Sequence, residues 1–246
     1  MYSKDAIYYD KLNSELQVDD IAFYRKVIPK ESRNICEIAC GTGRILYSLH
    51  DGKRKLTGID LSKEMLDIAG KKQCGDKHLI QLMQGDMCKL GDIGCYDVII
   101  CGYNSMQHII NDDSLKRFFQ GIEKNLSSDG IFILDIFNPN QKYLFKDGNK
   151  CELAEFFVSD HKKIKVIEET LYHPETLIND ITYNYYIDGV FEFKEHYHMK
   201  QYTADVLDGF IEQNGYVIRK KYGDYSMNSF SADSPKQIYI LQKKRK

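Results

Sequence analysis

The sequence predicts an α/β fold in which a seven-stranded, mostly parallel sheet carries an inserted small antiparallel β-sheet. Two observations support this prediction. Short apolar runs alternate with helical patterns over the first 137 residues, as they do when parallel strands are joined by helices. From about residue 138 to 202 the apolar residues follow a period of two instead, which is typical of antiparallel strands.

The first half of the chain supplies five strands in order. A polar N-terminal segment, about residues 8–28, is predicted to be helical. The five strands are expected at 33–40, 55–60, 78–86, 96–103 and 130–137. Helices are expected after the glycine turn, at 62–71 with Ser62 or Asp60 near its start, and at 112–126, where Ser-Ser-Asp-Gly marks a turn.

The period of two divides the chain into two predicted units. Asp188-Gly189 between two alternating runs indicates a tight hairpin. A helix follows at 203–215, with Thr203 as its N-cap and Gly215 past its end, and strands at 216–222 and 237–244 form an antiparallel edge pair. The prediction is thus a main domain of residues 1–137 and 203–246, and an inserted subdomain of residues 138–202 that covers the substrate.

Composition excludes several classes of protein. The 246 residues carry a net charge of −2, which gives no general attraction to nucleic acid or anionic membranes. Seven cysteines without a C-x-x-C pair favour reduced thiols in the cytosol. The N-terminus lacks the apolar core of a signal peptide, and no apolar run approaches the roughly 18 residues that span a bilayer. A cytoplasmic protein is expected.

The stretch EIACGTGRIL, residues 37–46, places two glycines at a turn between the first strand and its helix. Ligands of open α/β sheets bind at the carboxyl ends of the strands, so this turn is a candidate nucleotide site. Leu46 stands where a dinucleotide loop prefers a third glycine, and the pattern of a triphosphate-binding loop is missing. A purely structural turn remains an alternative.

Two acids at successive strand ends sharpen this prediction. Asp60 ends the second strand, where a carboxylate can accept both hydroxyls of an adenosyl ribose. Asp86 follows the third strand, where it can accept from an adenine amino group with Met87 beside the ring. Each acid alone is more often a helix cap or an exposed turn residue, but their joint placement with Glu37 inside the first strand indicates adenosine binding.

These motifs resemble those of the class I S-adenosylmethionine-dependent methyltransferases, in EIACGTG, GIDLSKEML, GDM and YDVII. The resemblance covers the whole chain and implies a Rossmann-like fold, with S-adenosylmethionine as cofactor and S-adenosylhomocysteine as product. It implies that the glycine loop lines the methionine part, Asp60 binds the ribose, and Leu61 with Asp86 and Met87 surrounds the adenine. The expected cofactor-binding residues are Glu37, Ala39, Gly41, Thr42, Gly43, Asp60, Leu61, Met65, Asp86, Met87 and Cys101.

A looser resemblance concerns the acceptor. AIYYDKL, the insert and HYHMKQYTADVLDGFIEQNGY look like small-molecule methyltransferases, which include the sugar-nucleotide and glycine-type N-methyltransferases. It implies that Tyr9 reaches the active site and that His108 faces the acceptor as a base or orienting group. Tyr103 and Asn104 are expected on the acceptor side because they follow the fourth strand. CGYNSMQHI matches no one member's loop, so the identity of the acceptor does not transfer.

Simpler roles stand beside these interpretations. His108 can be a capping or packed histidine, and Tyr9 an aromatic anchor of the N-terminal helix. His196 and His198 alternate on one strand, but nothing with ligand spacing joins them, so a strand face is favoured and no metal is expected. The tyrosines near Tyr183 can wall the acceptor site or simply favour a strand.

Three functions compete on this evidence. The first is methyl transfer to a small molecule, at nitrogen (an amine or amino sugar) or oxygen, by a monomer or homodimer. The second is methylation of RNA, DNA or protein, which the absence of an N-P-P-Y-like motif after the fourth strand and of a basic domain disfavours. The third is a nucleotide-binding protein without methyl transfer, which the acids at 60 and 86 disfavour. The sequence leaves the acceptor, the methylated atom and the number of methyl groups open.

Overall fold

The computed structural model describes residues 4–16, 19–72, 77–139, 149–159 and 161–245. Its strands are β1 (Asn34–Ile38), β2 (Lys55–Asp60), β3 (Ile80–Gln84), β4 (Tyr96–Cys101), β5 (Leu126–Phe137), β6 (Asn149–Ser159), β7 (Lys162–His173), β8 (Ile178–Ile187), β9 (Val190–Lys200), β10 (Tyr216–Tyr222) and β11 (Lys236–Lys243). One sheet has seven strands in the order β3-β2-β1-β4-β5-β11-β10, and a separate sheet has the order β6-β7-β8-β9. Strands β1 to β5 are parallel, and β11 runs antiparallel to both β5 and β10, so the predicted fold is confirmed.

Six α-helices accompany these strands within the described residues. They are α1 (Tyr9–Glu15), α2 (Ile21–Val27), α3 (Arg44–Ser48), α4 (Lys63–Lys72), α5 (Asp112–Asn125) and α6 (Ala204–Gln213). The N-terminal segment forms two helices rather than one, preceded by a 3₁₀ turn at Asp5–Tyr8. The Ser62 hydroxyl accepts from the Met65 amide at 3.2 Å and so caps α4. Thr203 precedes α6 without a capping hydrogen bond, and Gly215 follows it at φ 83°.

Apolar packing covers both faces of the large sheet. On one face Phe118 and Phe119 of α5 and Leu207 of α6 join the core, and all three are buried. On the other face Phe23 of α2 and Leu46 of α3 pack against β1, β2 and β4. Burial on both faces explains why β1 and β4 read as continuous apolar runs. The carboxyl ends of these strands stay open for a ligand.

Strand β5 begins at Leu126, four residues before the expected 130. The four residues Ser-Ser-Asp-Gly were expected to form a turn. Instead, Leu126 already pairs with Tyr96 of β4, and the ladder shifts register before Val98 pairs with Ile131. The chain therefore crosses the predicted turn in extended conformation with a bulge, which a pattern of turn residues does not reveal.

The inserted sheet contains β6, a strand that the alternation of apolar residues did not predict. The register between β6 and β7 shifts between Glu152 and Ala154, and again between Phe157 and Ser159. Two bulges in one strand break the period of two, which hides the strand in the sequence. The predicted hairpin at Asp188-Gly189 joins β8 and β9, with φ of 49° and 83°.

The N-terminal segment packs on the inserted sheet. Tyr8 and Leu12 share an apolar cluster with Phe156, Ile164 and Tyr185. The rings of Tyr8 and Tyr185 stack with centroids 5.8 Å apart. The described strands of this sheet, residues 149–200, lie inside the predicted insert, whose part at 140–148 lies outside the described residues. In the described ranges, no helix has the length and apolarity needed to cross a membrane.

Gly58 of β2 provides a test of how tightly the sheet packs under α3. A Cβ at this position lies 2.8 Å from both Cys40 Sγ and a Leu46 methyl carbon. We expect Gly58→Ala to lower the free energy of unfolding by about 1–3 kcal/mol in urea titrations, because the core has no space for the methyl group. Gly70→Ala is the control: nothing lies within 4 Å of that position in α4, and helix propensity predicts a gain of about 0.5–1 kcal/mol. Equal unfolding midpoints for both variants contradict this packing.

Candidate active site

A cavity of about 340 Å³ lies at the carboxyl ends of the parallel strands. The loops after β1 to β4 form its floor, Tyr9 of α1 covers part of it, and the β9 edge of the inserted sheet closes one side. Its lining residues are Tyr9, Ala39, Gly41, Asp60, Leu61, Ser62, Met65, Gly85, Asp86, Met87, Tyr103, Ser105, His108, Ile110, His196, Tyr197 and His198. Ten of the residues expected at the site thus meet in one cavity.

The glycine loop turns sharply beside this cavity. Ala39 and Gly41 both have φ of 55°, and Gly43 has φ of 75° at the start of α3. Left-handed backbone is inexpensive for glycine and costly for alanine, so strain at Ala39 is held by the surrounding loop. A Cβ on Gly43 would lie 2.6 Å from the Tyr47 ring, whereas one on Gly41 meets only Tyr9, at 4.0 Å. Gly41 therefore lines the cavity, and Gly43 makes the turn possible behind it.

Asp60 joins the glycine loop to the end of β2. Its Oδ2 accepts the Gly41 amide at 2.7 Å, and its Oδ1 accepts the Ser62 amide at 2.8 Å. Burial raises the pKa of this carboxyl, while the backbone donors oppose that effect. The Leu61 amide is a third backbone donor to this carboxylate, and two oxygens with two lone-pair directions each still leave capacity for a further donor. The carboxylate is thus held in place while it borders the cavity.

Asp86 occupies the corresponding position after β3. Its Oδ1 accepts the Cys88 amide at 2.8 Å, so it caps the short 3₁₀ turn at Met87–Lys89 and also lines the cavity. Leu61 projects at the rim with 48 % of its surface exposed, and Met65 lies buried below it. Asp86 and these two apolar side chains thus line the same cavity, which offers a carboxylate together with apolar surface.

Glu37 lies buried in β1 behind the glycine loop and does not line the cavity. Its Oε2 is buried without a hydrogen-bond partner. Burial raises the pKa of Glu37 to about 8, against the lowering effect of the nearby Arg44 guanidinium. A carboxyl with an unpaired buried oxygen is costly for the fold, which is common at ligand sites.

The N-terminal helix is fastened to the glycine loop. Asp10 accepts the Thr42 hydroxyl at 2.6 Å and forms an ion pair with Lys72 of α4. Lys72 also donates to the Thr42 carbonyl oxygen at 3.0 Å. Thr42 is fully buried and does not line the cavity, so in this structure it holds α1, and with it Tyr9, over the loop.

Tyr103 and Asn104 follow β4 in left-handed backbone, with φ of 49° and 68°. The buried Asp135 at the end of β5 accepts the Tyr103 amide at 3.1 Å and the Lys236 ammonium at 3.0 Å. Lys236 donates in turn to the Asn104 side chain at 3.0 Å. The Arg44 and Lys236 cations lie 5.3 and 5.4 Å from the centroid of the Tyr103 ring, which fixes that ring at the cavity wall. Asn104 itself does not line the cavity.

His108 ends a 3₁₀ turn and lines the cavity opposite the glycine loop. Burial lowers its pKa to about 4, so the imidazole is neutral near pH 7. Its ring lies 6.0 Å from that of Tyr197, measured between centroids. A histidine with this pKa accepts a proton only weakly, yet it can still orient a polar group by hydrogen bonding. Cys101 is fully buried and does not reach the cavity.

His196 and His198 belong to the β9 edge. His196 bonds the Thr182 hydroxyl at 2.8 Å, and His198 bonds Asp180 at 2.6 Å, both across the β8–β9 pair. Strand side chains alternate, so these two rings lie on the opposite face of β9 from Tyr197. Across the described ranges, no group of three His, Cys, Asp or Glu residues is arranged to hold a metal ion.

Several lining residues were not foreseen from the sequence. Ser62, Gly85 and Ser105 lie within four residues of a strand end, so their position is a usable signal. Ile110 and Tyr197 carry no such signal. Tyr197 reaches the cavity only because the inserted sheet folds back over the strand ends, which a chain-order argument does not show.

Comparison with known proteins agrees with this geometry. Residues 35–130 match the family described as "Methyltransferase domain". A protein of Geobacillus sp. (strain WCH70), provisionally named a methyltransferase, is 23% identical over 98% of this chain and 99% of its own. A solved S-adenosylmethionine-dependent methyltransferase from Clostridium acetobutylicum ATCC 824 is 21% identical, covers 98% of both chains and superimposes with a TM-score of 0.79. The match therefore spans the inserted sheet as well as the main sheet.

Residues 35–130 thus match a methyltransferase domain. Its relatives include small-molecule enzymes. One is the dTDP-3-amino-3,6-dideoxy-alpha-D-glucopyranose N,N-dimethyltransferase of Streptomyces fradiae, 26% identical over 48% of this chain and 44% of that protein. Another is the glycine/sarcosine N-methyltransferase of Halorhodospira halochloris, 26% identical over 90% of this chain and 79% of that protein. The methyltransferase expected from the glycine loop and strand-end acids is thus confirmed.

Glu37 gives this site a testable pH dependence. Its pKa is raised from 4.5 to about 8 in the folded chain, so the folded state binds more protons than the unfolded state between these values. Stability from this group is complete below about pH 4.5 and is lost as the pH rises through 8. We expect the melting temperature of Glu37→Gln, relative to that of the unmodified protein, to increase from pH 5 to pH 9. Glu123→Gln, at an exposed site on α5, should show no such trend; parallel curves for Glu37→Gln and the unmodified protein contradict the assignment.

Proposed function

We propose that the protein transfers the methyl group of S-adenosylmethionine to the nitrogen of a small-molecule amine. The observation that carries this proposal is the continuity of the cavity. One end holds the strand-end acids Asp60 and Asp86, and the other end is walled by Tyr103, His108 and Tyr197. A cofactor at the first end and an acceptor at the second would share one cavity.

The first end has the groups that the cofactor needs. Asp60, held by two amides, is the proposed ligand of the ribose hydroxyls. Leu61 and Met65 are proposed to flank the adenine, with Asp86 and Met87 at its edge. Ala39 and Gly41 are proposed to border the methionine part, where the absence of a side chain at Gly41 leaves room. Glu37, whose buried Oε2 has no hydrogen-bond partner, is proposed to support the loop from behind.

The remaining predicted cofactor residues act less directly in this proposal. Thr42 fastens α1 to the loop, and Gly43 permits the turn into α3. Cys101, which does not line the cavity, packs behind it. The prediction that Cys101 binds the cofactor has no support in this placement.

The cofactor and the protein have different roles in methyl transfer. The bound sulfonium supplies an activated methyl group, so the leaving thioether needs no proton. The chain must align the acceptor, exclude water and leave a lone pair on the acceptor atom. Tyr9 and Tyr103 are proposed to close the space around the reacting atoms, and the neutral His108 to orient the acceptor.

Nitrogen is favoured over oxygen by the character of His108. A hydroxyl acceptor needs a base within reach at the moment of transfer, and a pKa of about 4 makes His108 a weak one. A neutral amine already has a free lone pair. Two relatives are named as N-methyltransferases of small molecules, which supports the same choice. The cover formed by α1 and β9 favours a small acceptor over RNA or protein.

Calorimetric titration with S-adenosylmethionine tests the cofactor assignment. We expect Asp60→Ala to weaken binding by about 1–3 kcal/mol, because buried ribose hydroxyls lose their acceptor. Asp67→Ala is the matched control, since Asp67 follows in α4 with its side chain exposed and paired with Lys63. Its binding should equal that of the unmodified protein.

An unchanged dissociation constant in Asp60→Ala contradicts the ribose assignment. The acceptor class is tested separately by the release of S-adenosylhomocysteine with a panel of amines, amino sugars and their hydroxyl counterparts. Turnover of amines supports nitrogen. Turnover of the hydroxyl counterparts alone contradicts it while leaving the cofactor assignment intact.

A further inference from the structure

The inner face of the inserted sheet holds two tyrosines beside the acceptor end of the cavity. Tyr183 of β8 and Tyr197 of β9 meet edge to face with centroids 5.5 Å apart. Tyr197 lines the cavity, and Tyr183 lies near two other lining residues, Tyr9 and Tyr103. Two tyrosine rings therefore lie beside the place where the acceptor amine is proposed to bind.

Each of these tyrosines is bonded to a carboxyl group. The Tyr197 hydroxyl donates a short hydrogen bond to Oδ2 of Asp5, which lies in the 3₁₀ turn before α1. The Tyr183 hydroxyl bonds Glu168 on β7. Burial is the main cause that raises the pKa of both carboxyls, for Asp5 to about 6. Asp5 would thus change its charge just below neutral pH.

Asp5 carries an unmet hydrogen-bonding requirement. It is 2 % exposed, and its Oδ1 is buried without a partner. Within the described ranges no salt bridge includes Asp5. A buried carboxyl in this state costs stability, and such a cost is common where a ligand supplies the missing donor or charge. Packing alone does not explain why this buried position holds an aspartate rather than an apolar residue.

The charged groups around Asp5 are few. Glu195 of β9 faces it and raises its pKa further. Lys4 presents its backbone amide to Glu195. His108 packs against Tyr197 and is neutral near pH 7, and Glu168 lies beyond Tyr183. The carboxylates of Asp5 and Glu195 thus make the surroundings of the Tyr197 hydroxyl favourable for binding a proton or a cation.

We propose that Asp5 and Tyr197 together take the proton of an acceptor that enters as an ammonium ion. This rests on the proposed function. Tyr197 is the catalytic residue because it borders the cavity, and Asp5 acts through it. Asp5 and Tyr197 thereby determine which acceptors the site prefers. Acceptors with a positive charge at the reacting nitrogen are preferred over neutral hydroxyl compounds.

Every proton and electron pair in the proposed reaction is accounted for. The ammonium N–H proton moves to the Tyr197 oxygen as the Tyr197 proton moves to Asp5 Oδ2, which leaves a neutral amine and a neutral carboxylic acid. The amine lone pair then forms the N–C bond, and the electrons of the breaking C–S bond return to sulfur. The product leaves as a methylated ammonium ion, and Asp5 releases its proton to solvent before the next cycle.

The test compares Asp5→Asn, Tyr197→Phe and Glu192→Gln on the fastest amine of the panel, from pH 6 to pH 10. The first two variants keep shape but remove proton transfer. The third removes an exposed carboxylate from the same strand. At pH 7 we expect kcat to fall about 10²–10⁴-fold in Asp5→Asn and Tyr197→Phe, and less than about 2-fold in Glu192→Gln. S-adenosylmethionine affinity should stay within about 2-fold in all three.

The decisive readout is the shape of the pH profile. The deficit of both variants should shrink about tenfold per pH unit as the pH approaches the pKa of the amine, because the amine then arrives already neutral. A deficit that is constant with pH, an unchanged rate at pH 7, or loss of cofactor binding in both variants overturns the proposal and leaves the pair a structural contact. Failure of the unmodified protein to bind S-adenosylmethionine is a different result, which overturns the proposed function itself.

Discussion

The carboxylate of Asp60 is the interaction on which the site depends. It accepts one amide from the glycine loop and one from the start of α4, so it sets the distance between the ends of β1 and β2. The same contact involves the left-handed loop, because Gly41, with φ of 55°, donates its amide to Asp60. A carboxylate placed this way binds backbone on one side and is free to bind hydroxyl groups on the other.

A second constraint is the cover over these strand ends. The segment from Asp5 to Glu15 packs against the inserted sheet, while Asp10 fastens it to Thr42 and Lys72. The cover and the cofactor end are therefore mechanically connected through the glycine loop.

The sequence predicted whatever depends on local pattern. The succession of strands and helices along the chain, the acids at 60 and 86 and the hairpin at Asp188-Gly189 follow from alternation, strand ends and turn residues. The structure brings Asp60 and Asp86 to one cavity. It did not predict β6, whose bulges hide its period, or the extended start of β5. Asp5 and Tyr197, 192 residues apart, meet only through the docking of α1 on the inserted sheet, and no local pattern encodes that contact.

A crystal structure of the protein with S-adenosylhomocysteine tests the central claim most directly. The account predicts that both ribose hydroxyls donate to Asp60 at about 2.5–3.0 Å, with the adenine beside Leu61. It also predicts that the sulfur faces the space bounded by Tyr9, Tyr103 and Tyr197. Adenosine bound elsewhere, or a sulfur directed away from that space, would contradict the account.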